Sequence, residues 1–403
     1  MKVAVLGAGA IALAHAALAA SRGHAVCLWS PSGKSLPPPG PFSLTASGAL
    51  EAVCTVQSAS LADTIEGADV IIVSLPAYGH AAVMQAAAPF INSGQPVFVM
   101  PSLSLSGLLL AKLLHARGVT APIVSAGTTV ATARKLSLGA REAAVRVLSV
   151  RTRIDLAATP VGETPAMLLL AEALFGNLFV AQTDALAIAL SNVNPISHVP
   201  LALANLSRIE SAESWTQYDR MTGSTARMIE ALDAERLALA QTLGLTVRSI
   251  HEHFHYSFGV AIASLDAQSR AVHAGRGSPA GPTSLDTRYL TEDVPYGLAF
   301  LAQLGQRSGL TLPVAQGCVA LTSAALGRDL AADNTLLALA GLDTMSGPAL
   351  LAVARVGFRL DVGLLPVVQR AGRATSGHLE HVGVDHCGSF GCGHFGDLRV
   401  ERD

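Results

Sequence analysis

The chain reads as an α/β N-terminal domain built on a parallel, doubly wound sheet, followed by an all-α C-terminal domain. Three observations predict this. Short β-branched apolar runs alternate with helical stretches through the first half. After about residue 185 the strand signals fade and apolar residues recur at helical spacing. The composition is 50% apolar, 14% charged and 4% aromatic over 403 residues, enough Ala, Leu and Val for two large cores.

The elements follow in order. KVAVL (2–6) is a buried strand ending at a glycine turn, 10–22 is a helix, and HAVCLW (24–29) is a second strand. Further strands are expected at 69–75, 96–100 and 122–125, with helices at 79–91 and 105–117 between them. Apolar runs in 130–160 add closing strands. Helices are expected at 201–213, 222–244, 247–270, 294–308, 313–327 and 333–341, and 274–287 is a Gly/Pro/Ser-rich loop. The domains are therefore placed at 1–185 and 186–371. A Gly/His/Cys-rich, flexible tail takes 372–403.

Composition also narrows the partners. A net charge of −2 gives no reason to expect nucleic acid or an anionic membrane. No run reaches the roughly twenty uninterrupted apolar residues that span a bilayer. The first residues lack a basic stretch before their apolar run, so no signal peptide is read. Five cysteines, an odd count with the first three far apart, read as reduced thiols. A cytoplasmic protein is expected.

The turn after the first strand is GAGAIA, Gly7 to Ala12, and fits G-x-G-x-x-A. Gly7 permits the tight turn, and Gly9 leaves room for a pyrophosphate beside the backbone. Ala10 and Ile11 open the helix, and Ala12 lets helix and strand pack closely. The free N–H groups and positive dipole end of the helix favour phosphate. Strand, glycine turn, helix and second strand together mark the dinucleotide-binding start of a Rossmann domain. An acid at the end of the second strand would bind both ribose hydroxyls of NAD, but the chain has Trp29-Ser30-Pro31-Ser32-Gly33-Lys34 there. Ser30, Ser32 and Lys34 could bind a 2′-phosphate, which favours NADP over NAD. Pro76, after the 69–75 strand, is expected near the nicotinamide.

Two segments stand out in the helical half: SNVNPISHVP, with Asn194 and His198, and TRYLTEDVPYGL, with Arg288, Glu292 and Asp293. Hydride transfer to a carbonyl or imine needs a proton donor, and histidine suits that near neutral pH. A carboxylate would fix its tautomer, and an arginine would hold a substrate carboxylate in a bidentate fork. His198, Asp293 and Arg288 supply these types. A capping histidine and a surface ion pair remain the bland alternative.

With GAGAIA, NPISHVP, TGSTARMIEALDAERLALAQTLGL and RYLTEDVPYGL, the chain resembles the octopine/nopaline (opine) dehydrogenases, including their bacterial carboxyethyl-norvaline type, over residues 1 to about 370. The Arg-x4-Asp spacing of RYLTED is the most specific part. The resemblance implies His198 as general acid/base, Asp293 as its partner and Arg288 as the carboxylate-binding group, with Asn194 and Asn205 near the same cleft. It implies NAD(P)H-dependent reductive condensation of an amino acid with a 2-oxo acid such as pyruvate, and the reverse, with a homodimer as one assembly open to such a chain. The glycine turn carries fewer glycines than the family's often does, and the tail has no counterpart.

Rival readings are a lysine-dependent reductase of the ketopantoate or glycerol-phosphate type and a non-catalytic nucleotide-binding regulator. The helical half contains no lysine, which weighs against the first. His251-Glu252-His253-Phe254-His255 also satisfies H-E-x-x-H, a zinc-hydrolase pattern on a helix, but no third ligand motif follows. The tail's His378, His381, His386, Cys387, Cys392 and His394 fit no standard zinc spacing, and no metal site is assigned. Trp215, Tyr218 and Tyr256 are candidate cleft residues or packing.

Overall fold

The computed structural model describes residues 1–358. Its N-terminal half is one sheet of 11 strands: β1 (Lys2–Leu6), β2 (Ala25–Trp29), β3 (Gly40–Gly48), β4 (Ala52–Ser58), β5 (Val70–Val73), β6 (Val97–Val99), β7 (Ile123–Ala126), β8 (Ala131–Leu138), β9 (Glu142–Val150), β10 (Ile154–Thr159) and β11 (Phe179–Ala181). The spatial order is β11-β10-β7-β6-β5-β1-β2-β4-β3-β9-β8. The six central strands, β4-β2-β1-β5-β6-β7, are all parallel and show the Rossmann order. The residues of β5 and β6 are buried on both faces, which explains the continuous apolar runs VIIV and VFV. Strand order reverses between β1 and β5, so a crevice opens above their carboxyl ends.

The sheet is mixed, not wholly parallel as expected. The pairs β3–β4, β8–β9 and β7–β10 are antiparallel. The β3–β4 hairpin was not anticipated. In β3 only Phe42, Leu44 and Ala46 point inward while Pro41, Ser43 and Thr45 face out. That weakly apolar alternation gives a faint strand signal.

The helical half begins at helix Ala185–Ser191, whose first turn Asp184 caps by accepting from the N–H groups of Leu186 and Ala187. The segment Ala185–Ala204 is 20 residues long and apolar on average, but 61% of its most apolar window is buried in the core. It is broken at Asn192–Val193. The expected helix 247–270 is two, Ile250–Phe258 and Leu265–Arg276, separated by Gly259 in the left-handed region. A further helix, Gly347–Val356, was not anticipated. One apolar core runs from the strands through this half, joining Ile71 and Val99 to Leu190, Ile196 and Leu298. The limits of the helical domain past residue 358 and the tail 372–403 fall outside the described residues.

Candidate active site

The glycine turn sits at the crevice. Gly7 has φ +143°, and a Cβ there would lie 2.1 Å from the carbonyl oxygen of Ser74 at the end of β5. No other residue fits. Ala12, fully buried, packs against the same glycine as the small third residue of the motif. Nothing lies within 4 Å of a Cβ built on Gly9, so open space fronts the helix Ala10–Ser21. That helix has no side-chain cap and no acidic residue in its first turn. Its first N–H groups and dipole are therefore available to an anion, and the turn fits a pyrophosphate.

A cavity of about 740 Å³ extends from this turn to the helical half. Gly7, Gly9, Ala10, Ile11, Ser30, Ser32, Pro76, Asn194, Arg288 and Asp293 all line it. Ser30 and Ser32 sit within hydrogen-bonding distance of each other, at 3.3 Å between hydroxyls. Lys34 does not line the cavity: its side chain stands exposed on the turn, and its N–H donates to the Ser32 hydroxyl at 3.3 Å. The cation on this wall is Arg134 of β8, with Thr132 beside it. Sequence reasoning missed Arg134 because it carries no motif and β8, the edge strand beside β9, joins the cavity wall only in the folded sheet.

Across the cavity the two segments of the helical half meet. Helix Asn194–Ala204 starts with Pro195 in its first turn, where a missing N–H costs nothing. Asn194 and His198 are four residues apart and share a face. The other segment runs from the short helix Arg288–Thr291 into a π-helical turn, Val294–Ala299. Gly297 in that turn lies directly against Pro195: a Cβ there would be 2.2 Å from Pro195 Cγ. This close approach brings Asp293, which is 1% exposed, to His198. His198 Nδ1–H donates to Asp293 Oδ2 at 2.7 Å. The Tyr289 ring stacks flat on the imidazole, 3.9 Å between centroids and 4° between planes. Burial, opposed by Arg288, pushes the Tyr289 phenol up to about 12, so it stays neutral. With Nδ1 bound and one ring face covered, Nε2 is the nitrogen left to exchange a proton.

Arg288 is the solvent-facing member, with a side chain 58% exposed and its Nε 3.9 Å from Glu292 Oε2. Glu292 is buried and accepts the Ala77 N–H at 3.0 Å, tying the site to the β5 loop. Burial raises its pKa, while the Ala77 N–H and Arg288 pull the other way. Ser104 strengthens the same junction by donating to the Tyr296 carbonyl at 2.6 Å, and Asn334 donates to Ser104 at 2.9 Å.

Asn205 is a correction. It is buried, donates to the Leu201 carbonyl at 2.9 Å where its helix ends, and does not line the cavity. Trp215 and Tyr218 are packing residues: Trp215 covers Gly281 and donates to the Pro282 carbonyl, and Tyr218 meets Phe254 and Phe258 edge-on. The H-E-x-x-H residues have other work. Glu252 forms a capping box with Ser249, His251 bonds Gln268, and His255 bonds the Val260 carbonyl. Lys112 and Lys135 bond the carbonyls of Leu339 and Ser35, and neither lines the cavity. A lysine-dependent reductase would need one there.

The alpha-helical domain of NAD/NADP octopine/nopaline dehydrogenase matches residues 181–326. An opine dehydrogenase of Arthrobacter sp. (strain 1C) is 30% identical over 283 residues, 70% of this chain and 77% of the relative. The chain belongs to the opine dehydrogenase family. It is an NAD(P)-dependent dehydrogenase, which sets aside the reading as a non-catalytic regulator. Solved structures share the fold. Octopine dehydrogenase with NADH and L-arginine superposes with a TM-score of 0.73 at 19% identity, covering 89% of this chain and 98% of that one. Yersinopine dehydrogenase with NADP+ gives 0.63 at 19%, covering 85% and 97%.

Proposed function

We propose that the enzyme condenses an amino acid with a 2-oxo acid and reduces the resulting imine, with His198, Asp293 and Arg288 as its working groups. The observation that carries this is the 2.7 Å hydrogen bond by which Asp293, a residue of the cavity wall, holds His198, which stands just behind that wall, beside a cavity that begins at the glycine turn. The bound nicotinamide supplies a hydride. Overall, an ammonium and a 2-oxo acid, with one hydride and one proton, give a secondary ammonium dicarboxylate and one water.

Asp293 holds His198 with its proton on Nδ1, so Nε2 is the atom that gives and takes a proton. Protonated, it donates to the carbonyl oxygen as that oxygen leaves as water; neutral, it accepts a proton in the reverse oxidation. Tyr289 blocks rotation of the imidazole by stacking on it. Arg288 offers its guanidinium fork to a substrate carboxylate. Asn194, on the face of His198, is positioned to orient the substrate or the carboxamide of the cofactor. Residues 1–185 supply the glycine turn for the cofactor, and the helical residues after them supply His198, Asp293 and Arg288.

NADP is the favoured cofactor in this reading. Ser30, Ser32 and Arg134 line the wall beyond β2, and the cavity's carboxylates, Glu292 and Asp293, belong to the helical segment that carries Arg288. Among the described residues Cys27, Cys54 and Cys318 are free thiols, which suits a cytoplasmic setting.

The test is a panel of amino acid and 2-oxo acid pairs assayed with NADPH and NADH. Amine-dependent oxidation is expected, faster with NADPH, and Arg134→Ala should narrow the gap between cofactors. His198→Ala should lose about 10²–10⁴-fold in turnover while keeping its affinity for the dinucleotide. Turnover retained by that variant removes His198 from its role, and oxidation with no pair removes the reaction.

A further inference from the structure

A second cavity, of about 290 Å³, adjoins the cofactor cleft, and Arg151, Asn192 and Asn194 line both. Its charge is unusual for a chain of net charge −2. Arg151, Arg153, Arg248 and Arg276 line it against a single carboxylate, Asp155. Asp155 is 6% exposed; Arg248 Nη2 donates to its Oδ2 at 2.6 Å, and Arg153 Nε lies 3.6 Å from its Oδ1.

The other two guanidiniums have no carboxylate partner among the described residues. Arg151 donates Nε–H to the Thr129 carbonyl at 2.9 Å, and Arg276 rests over the Phe258 ring at 4.5 Å. His253 lines the same cavity, and burial, reinforced by Arg248 and Arg151, holds its pKa down to about 4. The cavity therefore carries a positive field that its own residues leave unbalanced. Gathering guanidiniums in a concave space costs self-repulsion unless an anion enters, and their planar forks select carboxylates.

The reaction brings two α-carboxylates to the site. Arg288 accommodates one, and one of the pocket arginines suffices for the other. We infer that the pocket receives a third carboxylate, so that one of the two substrates is dicarboxylic: an acidic amino acid or a 2-oxo dicarboxylic acid. This rests on the opine reading for the chemistry, while the pocket's preference for a dianion is a binding property measurable without turnover.

The holoenzyme with oxidised cofactor is titrated calorimetrically with glutarate and with butyrate. Glutarate should bind at least about tenfold more tightly, and Arg276→Gln, at an exposed position, should remove most of that margin. A double variant with Arg151→Gln should remove the rest. Equal binding of the two acids, or a margin unaffected by both variants, overturns the proposal. Turnover then separates the sources. Preference for glutamate over glutamine places the extra carboxylate on the amine, and preference for 2-oxoglutarate over 2-oxovalerate places it on the oxo acid. Indifference in both comparisons overturns the proposal even if norvaline and pyruvate react. If no pair reacts but glutarate binds as expected, the opine chemistry fails and the dianion pocket stands.

Discussion

Substituting Gly297 by alanine tests how the site is assembled. A Cβ at 297 would lie 2.2 Å from Pro195 Cγ and 2.5 Å from Pro195 Cβ. Carbon atoms pack at about 3.5–4.0 Å, so relief requires the π-helical turn and helix Asn194–Ala204 to part by roughly 1 Å or more. The proline ring is rigid and cannot swing aside. Asp293 stands one turn before Gly297 and His198 one turn after Pro195. The displacement therefore falls on the 2.7 Å bond between them, which is lost once the separation passes about 3.5 Å. Overpacking should cost about 1–3 kcal/mol of stability, seen as a lower melting temperature. Misplacing catalytic groups by about 1 Å costs on the order of 10²-fold in rate. Steady-state oxidation of NAD(P)H and a cofactor titration measure the two sides: kcat should fall about a hundredfold while dinucleotide affinity is unchanged, since the glycine turn lies at the other end of the cavity. A variant with wild-type kcat and unchanged melting temperature would refute the assembly described here.

Two further outcomes are expected. Gly7→Ala should abolish dinucleotide binding, because its Cβ would sit 2.1 Å from the Ser74 carbonyl oxygen; NADPH fluorescence titration measures this, and a wild-type Kd contradicts it. Stability should fall in acid through two fully buried histidines. Burial lowers His15 to about 3 and His80 to about 4, and the Val130 N–H donating to His15 Nε2 requires that nitrogen to be unprotonated. Their folded pKa values lie below the unfolded value of about 6.5, so the unfolded chain binds more protons as pH drops. The penalty is absent above about pH 6.5 and grows as pH falls, down to about pH 4 for His80 and about pH 3 for His15, at up to about 1.4 kcal/mol per pH unit for each. Urea unfolding between pH 7 and 4.5 reads the slope; a flat profile would show that neither histidine is held neutral.

The legible parts of this protein were local. GAGAIA between two strands is read within thirty residues, and the buried runs of β1, β5 and β6 announce themselves by composition. The β3–β4 hairpin was hidden because it is half exposed and rich in small and polar residues. Lys34 looked like a phosphate ligand by position along the chain, but the direction of a turn side chain depends on how the turn lies over the sheet. Arg134 and Arg151 carried no motif at all. They come from β8 and the end of β9, and reach the crevice only because the β8–β9 hairpin lies against β3 at the sheet's edge.

By itself the sequence showed a dinucleotide-binding pattern at the N-terminal turn, and put histidine, aspartate and arginine on hand in the helical half. Turn chemistry and strand and helix periods are properties of neighbouring residues, so they survive without a fold. Tertiary structure alone decided that His198 and Asp293, 95 residues apart, share a hydrogen bond, that Tyr289 covers the imidazole, and that four arginines gather beside the cleft. Those contacts depend on surfaces meeting, here through a glycine that admits a proline ring, and no local pattern records which surfaces will meet.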